Sequence, residues 1–84
     1  MTMNHKLKTI NPYFNDVYAG RKTFEVRIDD RKYKEGDTLT LQEYVNGQKT
    51  GAEITVSVDY ILEGGQFGIE NGYIVMSIKP IGIY

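Results

Sequence analysis

The sequence predicts a small, mainly β (α+β) domain: a β-barrel or curled sheet of about five strands, with one short helix after the first. Three observations predict it. Several segments alternate apolar and polar residues with the period of two that a half-buried strand requires. Turn-forming residues punctuate them at short intervals. A single segment, Asn11–Gly20, breaks the pattern with helical spacing. In a chain of 84 residues this many strands favours a small barrel or curled sheet with its core on one side.

The elements follow in order. His5–Ile10 alternates weakly around Leu7 and reads as the first strand. Asn11 suits a helix N-cap and Pro12 a first helical turn. Phe14, Val17 and Tyr18 stand at i, i+3 and i+4, and Gly20 stands where a helix ends with positive φ. Thr23–Ile28 alternates cleanly, which sends Phe24, Val26 and Ile28 to the core and leaves Glu25 and Arg27 on the opposite face, with Lys22 and Thr23 at its entrance. Asp29-Asp30-Arg31 reads as a loop and Glu35-Gly36-Asp37 as a turn. Thr38–Tyr44 points Leu39 and Leu41 inward. Asn46-Gly47 is a strong hairpin signal. Its partner strand, Ala52–Leu62, points Ile54, Val56, Val58 and Tyr60 inward. Glu63–Gly68 is a glycine-rich loop without phosphate-binding spacing. Gly72–Ile78 is a last apolar strand, ended by Pro80 and followed by a tail, Ile81–Tyr84.

Composition narrows the function. The chain has no cysteine and one histidine, which excludes a disulfide scaffold, a cysteine nucleophile and an ordinary zinc site, so no metal or other cofactor is expected. An unstapled domain of this size suits a reducing cytoplasm. No apolar run reaches the length of a membrane helix, and residues 1–10 lack the apolar stretch of a signal peptide. A single domain over 1–84 is expected, with a monomer favoured. The net charge of −1 hides a split. Arg21–Lys34 holds Arg21, Lys22, Arg27, Arg31, Lys32 and Lys34 against Glu25, Asp29 and Asp30, while the rest of the chain from Glu35 is acidic. A basic segment on an acidic chain suggests an anionic partner; a solvated hairpin with internal ion pairs would also produce it.

The dense stretch is Gly20-Arg21-Lys22-Thr23-Phe24-Glu25-Val26-Arg27, followed by Asp30-Arg31. Lys22 offers a mobile point charge and Arg27 a planar fork for phosphate or a base edge. Glu25 can accept from an exocyclic amine, hold Arg27 in place, or act as a general acid or base. An ordinary ion pair of Glu25 with Arg27 or Lys22 fits the same spacing. His5, the single histidine, is structural or a proton shuttle or base contact. Arg31 and Lys34 can touch a phosphate backbone or simply solubilise a hairpin; Tyr44 and Tyr73 can stack a base or pack in the core.

The pattern G-x-K-x-x-E-x-R after a short helix and before a Gly-Asp turn resembles the ASCH domain of the PUA-like superfamily. More closely, the ordered set His5-x-Leu7-Lys8, Tyr13-Phe14, Gly20-x-Lys22-Thr23-Phe24-Glu25-x-Arg27, Asp30-Arg31, Gly36-Asp37, Glu43-Tyr44 and Gly72-Tyr73 resembles the DUF3850 family of bacterial and phage proteins. The resemblance spans about His5 to Ile78. It implies a PUA-like barrel with a cleft lined by the Lys-Glu-Arg motif, and RNA or a nucleotide as ligand. The ligand-binding residues it implies are His5, Lys8, Lys22, Thr23, Glu25, Arg27, Asp30, Arg31, Tyr44 and Tyr73. One enzyme branch of ASCH proteins hydrolyses the amide of N4-acetylcytidine-type nucleosides with a lysine, a threonine and a distant glutamate. Lys22 matches the lysine, the threonine position is Glu25 here, and Thr23 does not occupy that slot. The distant glutamate has no assigned counterpart, and Asp29 stands where the closer family usually has asparagine. A binding protein is therefore expected rather than an enzyme, with Lys22 and Glu25 the catalytic candidates if it is one. A protein-interaction module of phage origin is the third alternative.

Overall fold

A computed structural model describes residues 2–83; the end of the predicted tail, Tyr84, lies outside the described residues. The elements run β1 (Asn4–Ile10), α1 (Tyr13–Tyr18), β2 (Phe24–Ile28), β3 (Thr38–Val45), β4 (Gln48–Glu63) and β5 (Tyr73–Ile83). They form one five-stranded sheet in the order β1-β3-β4-β5-β2. Strands β3, β4 and β5 are an antiparallel meander. β1 adds to β3 in parallel, with Leu7 opposite Leu41. β2 adds to β5 antiparallel, with Glu25 opposite Met76. The sheet curls into an open half-barrel rather than the closed barrel expected, because β1 and β2 are both edge strands and do not pair. They are nonetheless consecutive in the chain. Helix α1 and its flanking turns carry the backbone from one edge to the other, across the open seam.

Alternation explains which face is filled. Leu7 of β1, Leu39 and Leu41 of β3, Ile54, Val56 and Val58 of β4, and Ile74, Met76 and Ile78 of β5 point inward and are buried. Phe14 and Val17 of α1 and Tyr33 of the loop between β2 and β3 complete the core. The helix starts one residue later than expected, with Pro12 rather than Asn11 at its N-cap; Asn11 Oδ1 still accepts from the Asn15 N–H at 3.1 Å, and Gly20 follows the helix with φ of +78°. The helix is six residues long, so its buried side chains, not its propensity, hold it. Tyr18, expected on its packed face, is exposed.

β2 has the opposite face inward from the one expected. Glu25 is 3 % exposed, whereas Phe24, Val26 and Ile28 are 45, 50 and 53 % exposed. Register decides this. Residues opposite one another in a sheet share a face, and a slip of one position exchanges the faces of a whole strand. Glu25 and Arg27 lie opposite Met76 and Ile74, both inward. The apolar set of β2 thus lies on the outer face, opposite Ser77, Val75 and Tyr73.

Two further expectations are corrected. Tyr60 is exposed because an irregularity between Val58 and Tyr60 shifts the register of β4 against β5 and ends the alternation there. Pro80 does not end the last strand: β5 continues to Ile83, with Pro80 beside the other register shift, between Thr55 and Val56. The hairpin at Asn46-Gly47 is as expected, both residues having positive φ, the type I′ pattern.

The glycine-rich loop is fixed at its root. The Gly64 N–H donates to the Tyr73 carbonyl at 2.7 Å, and a Cβ at Gly64 would overlap the Glu70 and Tyr73 carbonyl oxygens. Backbone atoms cannot swing aside as a side chain can, so Gly64→Ala is expected to cost about 2–3 kcal/mol, read as a lowered denaturation midpoint. An unchanged midpoint would mean that the loop is not held this closely.

Candidate nucleotide-binding seam

Seven of the predicted site residues, Lys8, Lys22, Glu25, Arg27, Asp30, Arg31 and Tyr73, line cavities where the two sheet edges face each other. Glu25 projects from β2 into the half-barrel and is matched by two cations. Lys22 Nζ donates to Glu25 Oε2 at 2.6 Å and to the Phe24 carbonyl at 2.7 Å. Arg27 Nε donates to Glu25 Oε1 at 3.0 Å. A carboxylate this buried is tolerable only when paired and hydrogen-bonded. Arg27 then continues across the seam: its Nη2 donates to the Lys8 carbonyl at 3.2 Å and approaches Thr9 Oγ1 at 3.5 Å. Farther along, Arg31 Nη1 donates to the Lys6 carbonyl at 2.9 Å. The open edge of β1 is therefore met by arginine side chains instead of by a strand.

On one side of Arg27 lies a cavity of about 300 Å³, lined by Lys8, Thr9, Ile10, Tyr13, Lys22, Glu25, Val26 and Arg27. It has a polar floor and apolar walls, the usual make-up of a small-ligand site, and its volume is at the small end of such sites. Donors remain for a ligand. Lys22 has three ammonium protons, of which Glu25 and Phe24 take two. Arg27 Nη1 has no protein partner among the described residues.

The predicted site residues divide accordingly. Lys8, Lys22, Glu25 and Arg27 share this first cavity. Asp30, Arg31 and Tyr73 share a second, on the other side of Arg27. Thr23 is exposed at the head of β2, where its carbonyl accepts from the Ile78 N–H at 3.0 Å. Tyr44 lies opposite Ile10 on β3, with Lys8 Nζ 4.7 Å from its ring centroid. Lys34 is exposed and lines neither seam cavity. His5 lines neither seam cavity. It is buried against Asp37, with Nε2 and Oδ2 2.8 Å apart, and its ring packs edge-on against Tyr33 at 4.7 Å. Asp37 also accepts from the backbone N–H groups of Met3 and Lys34, both at 3.0 Å. Burial pushes the Asp37 carboxyl up, but the His5, Met3 and Lys34 hydrogen bonds outweigh it and hold it below the ordinary carboxylate range. Burial raises the Tyr33 phenol, against a smaller opposite pull from Arg31 and Arg27, so it stays protonated and able to donate.

Sequence reasoning missed Thr9, Ile10, Tyr13 and Val26 as lining residues. Thr9 was open to discovery, since it stands two residues after Leu7 on the face that must point inward. Among the described residues no group of three or more His, Asp or Glu side chains is placed to hold a metal ion, and no helix is long and apolar enough to cross a membrane.

Comparison with known proteins adds family and fold. The model of a family described as a domain of unknown function, DUF3850, matches residues 4–78. An uncharacterized 12.9 kDa protein in the GpA 3′ region of Escherichia phage P2 is 40 % identical over 58 residues, which are 69 % of this chain and 53 % of that protein. The chain thus spans about half the length of that relative. The crystal structure of hypothetical protein PH0355 superposes with a TM-score of 0.61 at 22 % identity, covering 96 % of this chain and 100 % of that one; the likeness is one of fold.

Proposed function

The chain belongs to the DUF3850 family, and on that premise, together with the resemblance of its G-x-K-x-x-E-x-R motif to ASCH/PUA-like domains, we propose that it binds RNA or a nucleotide in the seam between β1 and β2. The observation that carries this reading is the convergence of Lys22 and Arg27, each with an N–H to spare, on one wall of a cavity whose other walls include Tyr13, Ile10 and Val26. Cationic donors suit a phosphate or a carbonyl edge, and the apolar and aromatic walls suit the face of a base. Glu25 orients both cations.

The proposed activity is binding without turnover. Both oxygens of Glu25 already accept from cationic donors. The Thr9 hydroxyl, the aliphatic hydroxyl of the cavity, faces Arg27, a donor rather than a base that would activate it.

The test is fluorescence anisotropy of short labelled RNAs and DNAs at low and moderate salt. Wild type is expected to bind with an affinity that falls as salt rises, through counterion release. Lys22→Ala and Arg27→Ala are each expected to weaken binding and to flatten the salt slope by about one. Absence of binding at low salt would overturn the reading, and would leave the exposed Phe24, Val26 and Ile28 stripe, with a protein-contact role, as the feature to explain.

A further inference from the structure

The seam does not end at the first cavity. Beyond Arg27 it opens into a second, of about 270 Å³, lined by Leu7, Val26, Arg27, Ile28, Asp30, Arg31, Tyr33 and Tyr73. The two are close in volume and share Val26 and Arg27. Each has a cation at its far end, Lys22 in the first and Arg31 in the second, and each has tyrosine in its wall. The two arginine bridges land on Lys6 and Lys8, two residues apart on β1, which is roughly 7 Å along a strand. The seam is thus a repeated unit, cation, cavity and aromatic ring, with Arg27 at the divide.

We infer that the seam holds two successive nucleotides of a single strand, one base in each cavity, with the linking phosphate over Arg27. This rests on the nucleotide-binding reading and specifies its ligand. Arg27, whose Nη1 has no protein partner among the described residues, lines both cavities, where a linking phosphate needs donors. Asp30 in the second cavity can accept from an exocyclic amine. The cavities lie between two strand edges, so a base can enter either only if it is unpaired and turned away from a duplex. An added peptide strand fits less well. The β1 carbonyls it would pair with, those of Lys6 and Lys8, already accept from Arg31 and Arg27.

The experiment is calorimetric titration of wild type and Arg31→Ala with 5′-phosphorylated mononucleotides, dinucleotides and tetranucleotides of the ribose and deoxyribose series, and with a matched duplex. Wild type is expected to bind dinucleotide about tenfold or more tighter than mononucleotide, the scale of one added stacked base. Little further gain is expected from the tetranucleotide, and the duplex should be weaker. Arg31→Ala is expected to remove most of the dinucleotide advantage, bringing the ratio of dinucleotide to mononucleotide affinity close to one. Tyr73→Leu, which removes the ring but keeps an apolar side chain, is expected to do the same and guards against a folding defect in the first variant. Whichever sugar series shows the advantage identifies the strand as RNA or DNA. Equal affinity for mono- and dinucleotide overturns the two-cavity inference and leaves the first cavity standing. Affinity that climbs steadily with length, or a duplex that binds equally well, also overturns it. No binding of any probe removes both readings together.

Discussion

Asp37→Ala is expected to lower the unfolding free energy by about 3–5 kcal/mol, the scale for removing a buried carboxylate on which several hydrogen bonds converge. That is a large part of the roughly 5–15 kcal/mol available to a small domain. Asp37 is 2 % exposed and joins three parts of the fold. It accepts from Met3 just before β1, from His5 within β1, and from Lys34 in the turn that leads into β3. Its backbone carbonyl also accepts from Val58 in β4. Alanine leaves the buried His5 ring and the part-buried N–H groups of Met3 and Lys34 without this partner. The pH dependence has a definite sign. The folded carboxyl titrates below its unfolded value of about 4, so its contribution is full above that value and is lost as pH falls through the lower folded one. Urea denaturation of wild type and Asp37→Asn at pH 7 and pH 3 checks this: the gap between them is expected to narrow at pH 3. A gap independent of pH would show that the carboxylate charge is not what holds the turn.

Glu25→Ala is expected to move stability and ligand affinity in opposite directions. The carboxylate is buried, but its partners Lys22 and Arg27 are only half-buried. Water can therefore reach them once Glu25 is gone, and the expected loss is about 2–3 kcal/mol, below the full cost of orphaning two buried charges. The same substitution frees two cations at the cavity. Affinity for short oligonucleotides should then rise at low salt, with a steeper salt slope, since more counterions are displaced. Selectivity among bases should fall as the two donors lose their fixed directions. Thermal melts and salt-dependent anisotropy on one variant check both halves. A joint fall in stability and affinity would instead mean that Glu25 itself contacts the ligand.

Much of the fold is legible in local pattern. Five strands, the short helix after the first, and the Asn46-Gly47 turn all follow from alternation, capping and turn chemistry, which act over a few residues. What escapes depends on register and on pairing far along the chain. In β2, Phe24, Val26 and Ile28 alternate with Glu25 and Arg27, so either set satisfies the period. The apolar set wins on hydrophobicity alone and loses once β2 is docked on β5, where Ile74 and Met76 dictate which face is inward. Tyr60 fails similarly: one irregular residue in a 16-residue strand changes the phase. The Lys22, Glu25 and Arg27 cluster was visible as a motif. Its cavity was not, because Ile10, Tyr13 and Thr9 reach it only through the parallel pairing of β1 with β3. His5 shows the converse, since nothing near it in sequence announces Asp37, 32 residues away.

The position of β1 and β2 at the two margins of the sheet has a consequence for the order in which the molecule assembles. The β3-β4-β5 meander joins neighbours along the chain through short connections and can form by itself. β1 must find Thr38–Tyr44 and β2 must find Tyr73–Ser77, contacts that close long loops and come late in folding. Margins are also where local opening has its lowest cost. The seam proposed to take the ligand is therefore built from the two strands that dock last and loosen first. A bound strand that touched both would act as a clasp, holding together the part of the sheet that the chain alone holds least firmly.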